Sequence, residues 1–298
     1  MSLDEKAQDE KVQSEAISPL SSPSADHAPI ADLKLQVLPK ILQEGILFLA
    51  SGPALLLQAA HPGLKPRLSQ TGNSSPAAAS TNNLTAKLTT PLNATLSYIA
   101  CLVFGTQEEK EALIARIRDS KPPLQGTTTQ TNTDVQLWTL ATIYATATDF
   151  YQRIYGDFDH RTAEKSYSEF ALVLSYLSTT IPAGVLPASR GEFWRYWDEQ
   201  VENLSVSAEA HKLAYELVHR TDLPRWAGYL RPVLRVITVE MLPARIRAAY
   251  GLKSTVGTRG MYRAAMGFSV AVWPALPKGW RFRPVRGYLE DVRRELNV

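Results

Sequence analysis

The sequence predicts an all-α fold on three observations. Apolar residues recur at spacings of three and four along most of the chain, which is the period of an amphipathic helix. Sustained period-two alternation is absent, and so are hairpin dipeptides between β-branched runs. Capping residues and prolines stand where the periodic stretches begin and end. We therefore expect a single helical domain.

The first helices are expected in the apolar run 45–60. One helix should end near Ser51, Pro53 should open the next in its first turn, and Pro62 should close it. The run is shorter than the ~20 residues that a bilayer span needs. We interpret it as a buried helix pair.

The remaining helices are expected in order along the chain. Apolar periodicity or a capping residue predicts them at residues 84–104, after Thr106, at 135–155, at 163–177, after Ser189 and from Ser207 through Leu217. Prolines separate shorter pieces towards the C terminus, and Tyr250-Gly251 is typical of a helix end with its glycine cap. The polar runs 69–83 and 127–133 are expected to be loops.

Composition and charge exclude several classes of protein. The 298 residues are 45% hydrophobic, and 32 Lys+Arg against 29 Asp+Glu leave a net charge of +3, so nucleic acid is not an expected partner. Residues 1–30 carry six acids and two lysines, a net −4, and predict a disordered tail before a domain at 31–298. The tail has the features of neither a secretory signal nor a transit peptide, so we expect a cytoplasmic, non-secreted protein.

The C-terminal third is basic. From Arg220 onward there are fifteen Lys+Arg and five acids, a net +10. Arginines scattered between apolar residues are typical of a solvated or ion-paired helix face. Attraction to a membrane surface is the alternative, so a peripheral membrane contact stays open.

Cysteine and histidine are scarce. The single cysteine, Cys101, excludes an intrachain disulfide, a zinc ribbon and a Cys-ligated iron–sulfur cluster, and its apolar surroundings predict a buried, inert thiol. His160 follows two aspartates, which we interpret as a helix-capping cluster because no spaced metal ligands follow. His211 and His219 flank one predicted helix and are interpreted as surface residues. No metal site is expected.

Five short motifs occur in order between about residues 35 and 260. They are the run from Ser51 to Gly63, Leu92-x-x-Thr95-Leu96-x-Tyr98 with Val103-Phe104-Gly105-Thr106 behind it, Leu137-Trp138, Leu186-Pro187 with Glu192-Phe193, and Leu242-Pro243 leading to Tyr250-Gly251-Leu252. Their order and spacing resemble the catalytic domain of the mpaB-type and rubber oxygenases (latex-clearing proteins). The resemblance implies an all-helical bundle and, in members that act as oxygenases, a bound heme b.

The residues that hold heme in that family are missing from this chain. The family pattern has an Arg-x-x-Arg/Lys-Thr element beside the heme, and here Pro91 and Ala94 occupy the two basic positions while Thr95 is retained. Lys121 stands where the axial histidine is expected, and a lysine amine is protonated at neutral pH. The window between His61 and His160 contains no histidine.

The catalytic acid is missing as well. The family's proposed acid lies before the Arg element, whereas no Asp or Glu occurs between Glu44 and Glu108. We therefore expect a heme-less member that acts as a cofactor-independent cyclase or isomerase, such as a Diels–Alder-type pericyclase. Its substrate would be an apolar polyene or a terpenoid or polyketide intermediate of secondary metabolism, held in a hydrophobic pocket.

Two alternatives remain. One is a heme b-dependent oxygenase with His61 or Lys121 as an unconventional axial ligand. The other is a non-catalytic protein that binds a small molecule or partners a true oxygenase.

Candidate site residues lie on the helices that carry the matched motifs. The catalytic candidates are Asn93, Thr95 and Tyr98, and the substrate-binding candidates are Trp138, Thr142, Tyr144 and Asp149. Thr95, Tyr98 and Trp138 are preferred because they occupy motif positions. The hydroxyl and amide groups of the candidate residues would polarise a substrate carbonyl, while their aromatic rings would shape the pocket.

Overall fold

Every regular element is a helix in the residues that the computed structural model describes, which are 34–65, 68, 84–119, 129–177, 185–219 and 231–296. These ranges contain no strand, so the all-α prediction is confirmed. Leu33–Val298 form one compact unit. The predicted tail at 1–30 lies outside the described residues, and its boundary with the domain stays a prediction.

Thirteen α-helices lie in the described ranges and are numbered in chain order. The first six are α1 Leu38–Leu42, α2 Ser51–Ala59, α3 Leu84–Phe104, α4 Gln107–Asp119, α5 Thr129–Tyr155 and α6 His160–Leu177. The others are α7 Arg190–Asn203, α8 Ala208–His219, α9 Arg231–Glu240, α10 Ala244–Ala249, α11 Val256–Val272, α12 Lys278–Arg281 and α13 Arg283–Leu296. Short 3-10 helices lie at Gly45–Ala50, Pro62–Leu64 and Trp273–Ala275.

Helix α2 lies at the centre and packs against α3, α5, α8 and α9. All of its residues after Ser51 are buried, because the helix is apolar on every side and has no face suited to water. Gly52 allows a close approach to α9, since a Cβ at this position would overlap the Thr238 hydroxyl. The predicted helix pair is confirmed, and its first member is the 3-10 helix Gly45–Ala50.

Side-chain caps open two helices where the sequence predicts them. Thr106 Oγ1 accepts the N–H of Glu109 at 3.3 Å, and Glu109 Oε2 accepts the N–H of Thr106 at 2.9 Å, so a capping box precedes α4. Ser189 Oγ accepts the N–H of Glu192 at the start of α7. These bonds satisfy first-turn N–H groups that have no partner within the helix.

The expectation of a loop at 127–133 is wrong for its last five residues. Helix α5 begins at Thr129, and Thr133 and Val135 are buried in the domain. Burial of Thr133 and Val135 outweighs the low helix propensity of threonine. Residues 127 and 128, and the other expected loop at 69–83, lie outside the described residues.

Further sequence predictions concern single residues. Asp159 accepts bonds from both the N–H and the hydroxyl of Thr162, so the segment before His160 caps α6, as expected. Cys101 is buried, and burial raises the pKa of its thiol to about 11, in agreement with an inert residue.

Within the described ranges, no group of three or more His, Cys, Asp or Glu could hold a metal ion. The helices described there include none long and apolar enough to cross a membrane.

The C-terminal helix α13 packs along α3. Its buried residues Val285, Leu289 and Val292 are spaced four and three apart, so one apolar stripe faces the domain while arginines and acids face water. This packing brings the end of the chain beside the helix that carries three of the candidate residues.

Candidate functional site

An apolar cavity lies between the 3-10 helix Gly45–Ala50, α3, α5 and α13. The space between its walls, including the part that opens to solvent, is about 680 Å³. Four polar residues contribute to its walls: Glu44, Ser51, Thr146 and Tyr288. The other walls are apolar and consist of Leu42, Leu47, Phe48, Ala50, Ala54, Leu92, Leu96, Ile99, Ala100, Phe104, Ile143, Ala147 and Val285.

The cavity exists because small residues alternate with large ones on the helices around it. Helix α3 presents Leu92, Leu96 and Ile99 at spacings of four and three, followed by the small Ala100. Helix α5 presents Ile143 and, one turn later, Ala147. Each alanine leaves a space that a leucine would fill.

One wall of the cavity carries a buried polar group, which we name the Glu44 cluster and define as Glu44, Tyr155, Trp273 and Arg281. The Glu44 side chain is 3% exposed. Its Oε2 accepts the Tyr155 hydroxyl at 2.7 Å and the Trp273 indole N–H at 2.8 Å. Its Oε1 accepts Arg281 Nη1 at 2.7 Å, and the same nitrogen donates to the Tyr155 hydroxyl at 2.8 Å.

The Glu44 cluster places a buried ion pair beside an apolar space. Arg281 supplies the compensating charge, and its side chain is only 12% exposed. Burial, together with the hydrogen bond to Glu44, raises the pKa of Tyr155 well above its usual value, so the phenol stays protonated and donates. A carboxylate accepts about four bonds, and three are used within the cluster. One acceptor position of the Glu44 carboxylate is therefore not used within the cluster.

Tyr288 on α13 is another polar residue that lines the cavity. Its hydroxyl donates to the side-chain oxygen of Asn93 on α3 at 3.3 Å, and its ring stacks on Phe48 with centroids 4.9 Å apart. Burial, followed by the charge of Asp291, raises the pKa of Tyr288 to about 12. The phenol is therefore a neutral hydrogen-bond donor at physiological pH.

None of the three catalytic candidates on α3 is among the residues that line the cavity. Asn93 is exposed and meets the cavity only through Tyr288. Tyr98 donates to Glu295 Oε1 at 3.2 Å on the outer surface. Thr95 lies between Asn93 and Tyr98 in the sequence, and its side chain is half-buried. Their catalytic roles stay predictions, and their neighbours Leu92, Leu96 and Ile99 line the cavity instead.

The substrate-binding candidates on α5 are divided between the core and the surface. The buried Trp138 donates its indole N–H to the Leu57 carbonyl at 3.0 Å. The buried Thr142 accepts the Gln58 amide at 2.8 Å.

Tyr144 is also buried and shares a 2.9 Å hydrogen bond with Ser166 inside an aromatic cluster. Asp149 pairs with Arg153 at the surface, with 42% of its side chain exposed. None of these four lines the cavity described above, and their binding roles stay predictions.

His61 is placed in the core rather than at the cavity. Its Nδ1 accepts the N–H of Gly63 at 3.2 Å, and its ring stacks against Trp138. Burial is the main cause that lowers the pKa of His61, so the neutral imidazole acts as an acceptor. Lys121, the other candidate heme ligand, lies outside the described residues.

The described lining does not fit a heme. Heme iron takes an axial ligand from His, Cys, Met or Tyr, and Tyr288 is the only one of these among the lining residues that the structure describes. The Tyr288 phenol is protonated and donates to Asn93. The cation beside the cavity, Arg281, already compensates the charge of Glu44.

Comparison with known proteins identifies the family of this chain. The family model described as ER-bound oxygenase mpaB/B'/Rubber oxygenase, catalytic domain, matches residues 39–271. The chain therefore belongs to this family of oxygenases, which confirms the resemblance seen in the motifs. No curated protein and no solved structure gave a significant match.

Sequence reasoning did not single out the residues of the Glu44 cluster. One signal was available, because Glu44 interrupts an apolar run and is the last carboxylate before Glu108. Trp273, Arg281 and Tyr288 gave no such signal. All three lie beyond residue 271, where the family match ends.

Proposed function

We propose that the apolar cavity binds an elongated apolar molecule and promotes its intramolecular cyclisation or isomerisation without heme. One observation carries the proposal: the described walls are apolar and offer no iron ligand free to bind, but include one buried carboxylate, Glu44. Suitable substrates are polyenes, or terpenoid or polyketide intermediates of secondary metabolism. We propose a cytoplasmic location for the reaction.

The walls would act first by selecting one conformer of a flexible substrate. Restricting bond rotations and aligning two reacting segments contributes several kcal/mol to a unimolecular reaction. In a Diels–Alder-type cyclisation two σ bonds form from two π bonds, no atom is lost, and no electron acceptor is needed. An apolar cavity without redox groups suits such a reaction.

The polar residues would orient the substrate at its two ends. Glu44 has one remaining acceptor position, which suits a substrate hydroxyl or enol. The Tyr288 hydroxyl, which donates to Asn93 in the structure, would turn to a substrate carbonyl and stabilise developing negative charge. This assigns Asn93 the role of positioning Tyr288.

The absorption spectrum and iron content of the purified full-length protein are the first test. We expect no Soret band and no stoichiometric iron. A Soret band with one iron per chain would overturn the proposal in favour of the heme oxygenase alternative.

Turnover is the second test. Linear polyene alcohols and polyketides would be screened by displacement of the fluorescent apolar probe N-phenyl-1-naphthylamine, and bound compounds would then be incubated with the protein. We expect a product of unchanged mass, formed more slowly by Glu44→Gln and Tyr288→Phe than by the surface control Glu199→Gln. Binding without conversion would overturn the catalytic role and leave a small-molecule-binding protein.

A further inference from the structure

Helix α11 turns an apolar face to solvent. Its inner side, with Met266 and Ser269 buried, packs against α9 and α5. The residues at the opposite helical positions are Val256, Gly260, Ala264, Gly267, Phe268 and Ala271, which we name the outer face, and all are exposed. Val256 is 81% exposed and Phe268 is 67% exposed. A solvent-facing stripe without a single charge is unusual for a helix in water.

Cations flank this outer face, and the surrounding sequence has no acids. Arg259 and Arg263 are exposed on the same helix. From residue 241 to residue 289 there are nine Lys+Arg and no Asp or Glu. The exposed Trp280 and Lys278 lie on α12 in the same stretch. A partner that is anionic and accepts the exposed Val256 and Phe268 side chains would complement this surface.

We propose that the outer face of α11 docks on an anionic lipid bilayer. Protruding apolar side chains enter the boundary between headgroups and acyl chains, while the flanking arginines contact the lipid phosphates and acidic headgroups. The proposal rests on exposure and charge and is independent of the reaction assigned to the cavity.

Vesicle flotation of the full-length protein tests the proposal. We expect the protein to float with phosphatidylcholine vesicles that contain about 30 mol% phosphatidylserine, to bind neutral phosphatidylcholine vesicles much more weakly, and to dissociate at high salt. Arg259→Gln with Arg263→Gln should lower the partition constant about thirtyfold. Phe268→Ser should lower it about tenfold or more.

A matched double variant controls for net charge. Arg161→Gln with Arg195→Gln removes two exposed arginines from α6 and α7 and should change partitioning little. Equal losses in both double variants, equal binding to neutral vesicles, or no flotation at all would overturn the proposal. Binding of polyglutamate without vesicle binding would overturn it in favour of an acidic protein partner. Circular dichroism confirms that each variant is folded.

Discussion

Glu44 and Arg281 form a 2.7 Å ion pair although 237 residues separate them in the chain. Both side chains are buried, at 3% and 12% exposure. The pair therefore links the segment before the central helix α2 to the C-terminal end of the domain, beside the cavity. Its loss would affect both stability and the shape of the site.

Replacing Glu44 by Gln should destabilise the protein by about 3 kcal/mol, because it leaves the Arg281 charge buried without a partner. The new amide N–H₂ would also face the donors of Tyr155 and Trp273. Urea unfolding followed by circular dichroism measures the change. Glu44→Gln with Arg281→Met should cost less than the two single variants added together.

The control for this prediction is the exposed pair of Asp291 and Arg294. Asp291→Asn should leave the urea midpoint unchanged, because surface ion pairs contribute little. Equal losses for Glu44→Gln and Asp291→Asn would contradict a special role for the buried pair.

Ala147→Leu should block the cavity without unfolding the protein. Leucine has nearly the same helix propensity as alanine, and its extra carbons would point into open space on α5. We expect the affinity for N-phenyl-1-naphthylamine to fall at least about fivefold. Ala248→Leu, at an exposed position of α10, is the matched control and should bind the probe as the natural chain does. An unchanged affinity in Ala147→Leu would place the probe elsewhere.

Gly52→Ala should destabilise the contact between α2 and α9 by about 1–3 kcal/mol, since the added Cβ would overlap the Thr238 hydroxyl. Adding Thr238→Ala should recover most of that loss. Gly267→Ala, where the added Cβ meets no atom, should instead stabilise helix α11 by about 0.5–1 kcal/mol. Thermal unfolding of the three variants checks the sign of each effect.

Stability should fall as the pH is lowered past the ordinary pKa of histidine, and His61 should contribute to this fall. Burial lowers the pKa of His61 in the folded state, so the unfolded chain binds a proton first as the pH drops below about 6.5. Protonation also removes the acceptor for the N–H of Gly63. Urea midpoints at pH 7.5 and 5.5 should differ less in His61→Gln than in the natural chain. An identical difference in both proteins would refute the assignment.

Local signals predicted individual helices well. The apolar spacing of α3 predicts its bounds, residues 84–104, and the capping box at Thr106 predicts the start of α4. These signals are encoded within a few residues, where period and cap chemistry act directly. The start of α5 was missed because burial within the domain stabilises its first turns, and the local sequence does not show which residues are buried.

The cavity could not be predicted in the same way. Its lining depends on which residues of α3 face α13, and the contact between Asn93 and Tyr288 spans 195 residues. The motif residues Thr95 and Tyr98 share a helix with the cavity walls, but a change of one or two positions along a helix turns a side chain to a different face. Periodicity therefore identified a helix that lines the cavity but not the residues of that helix that line it.

The family match ends at residue 271, but Trp273, Arg281, Val285 and Tyr288 all contribute to the cavity or its polar wall. The matched region thus forms most of the cavity walls, and residues after 271 form the rest. Glu44, inside the matched region, therefore meets Trp273 and Arg281 beyond it. The shape of the cavity depends on residues on both sides of this limit, so family membership alone does not define which molecule fits.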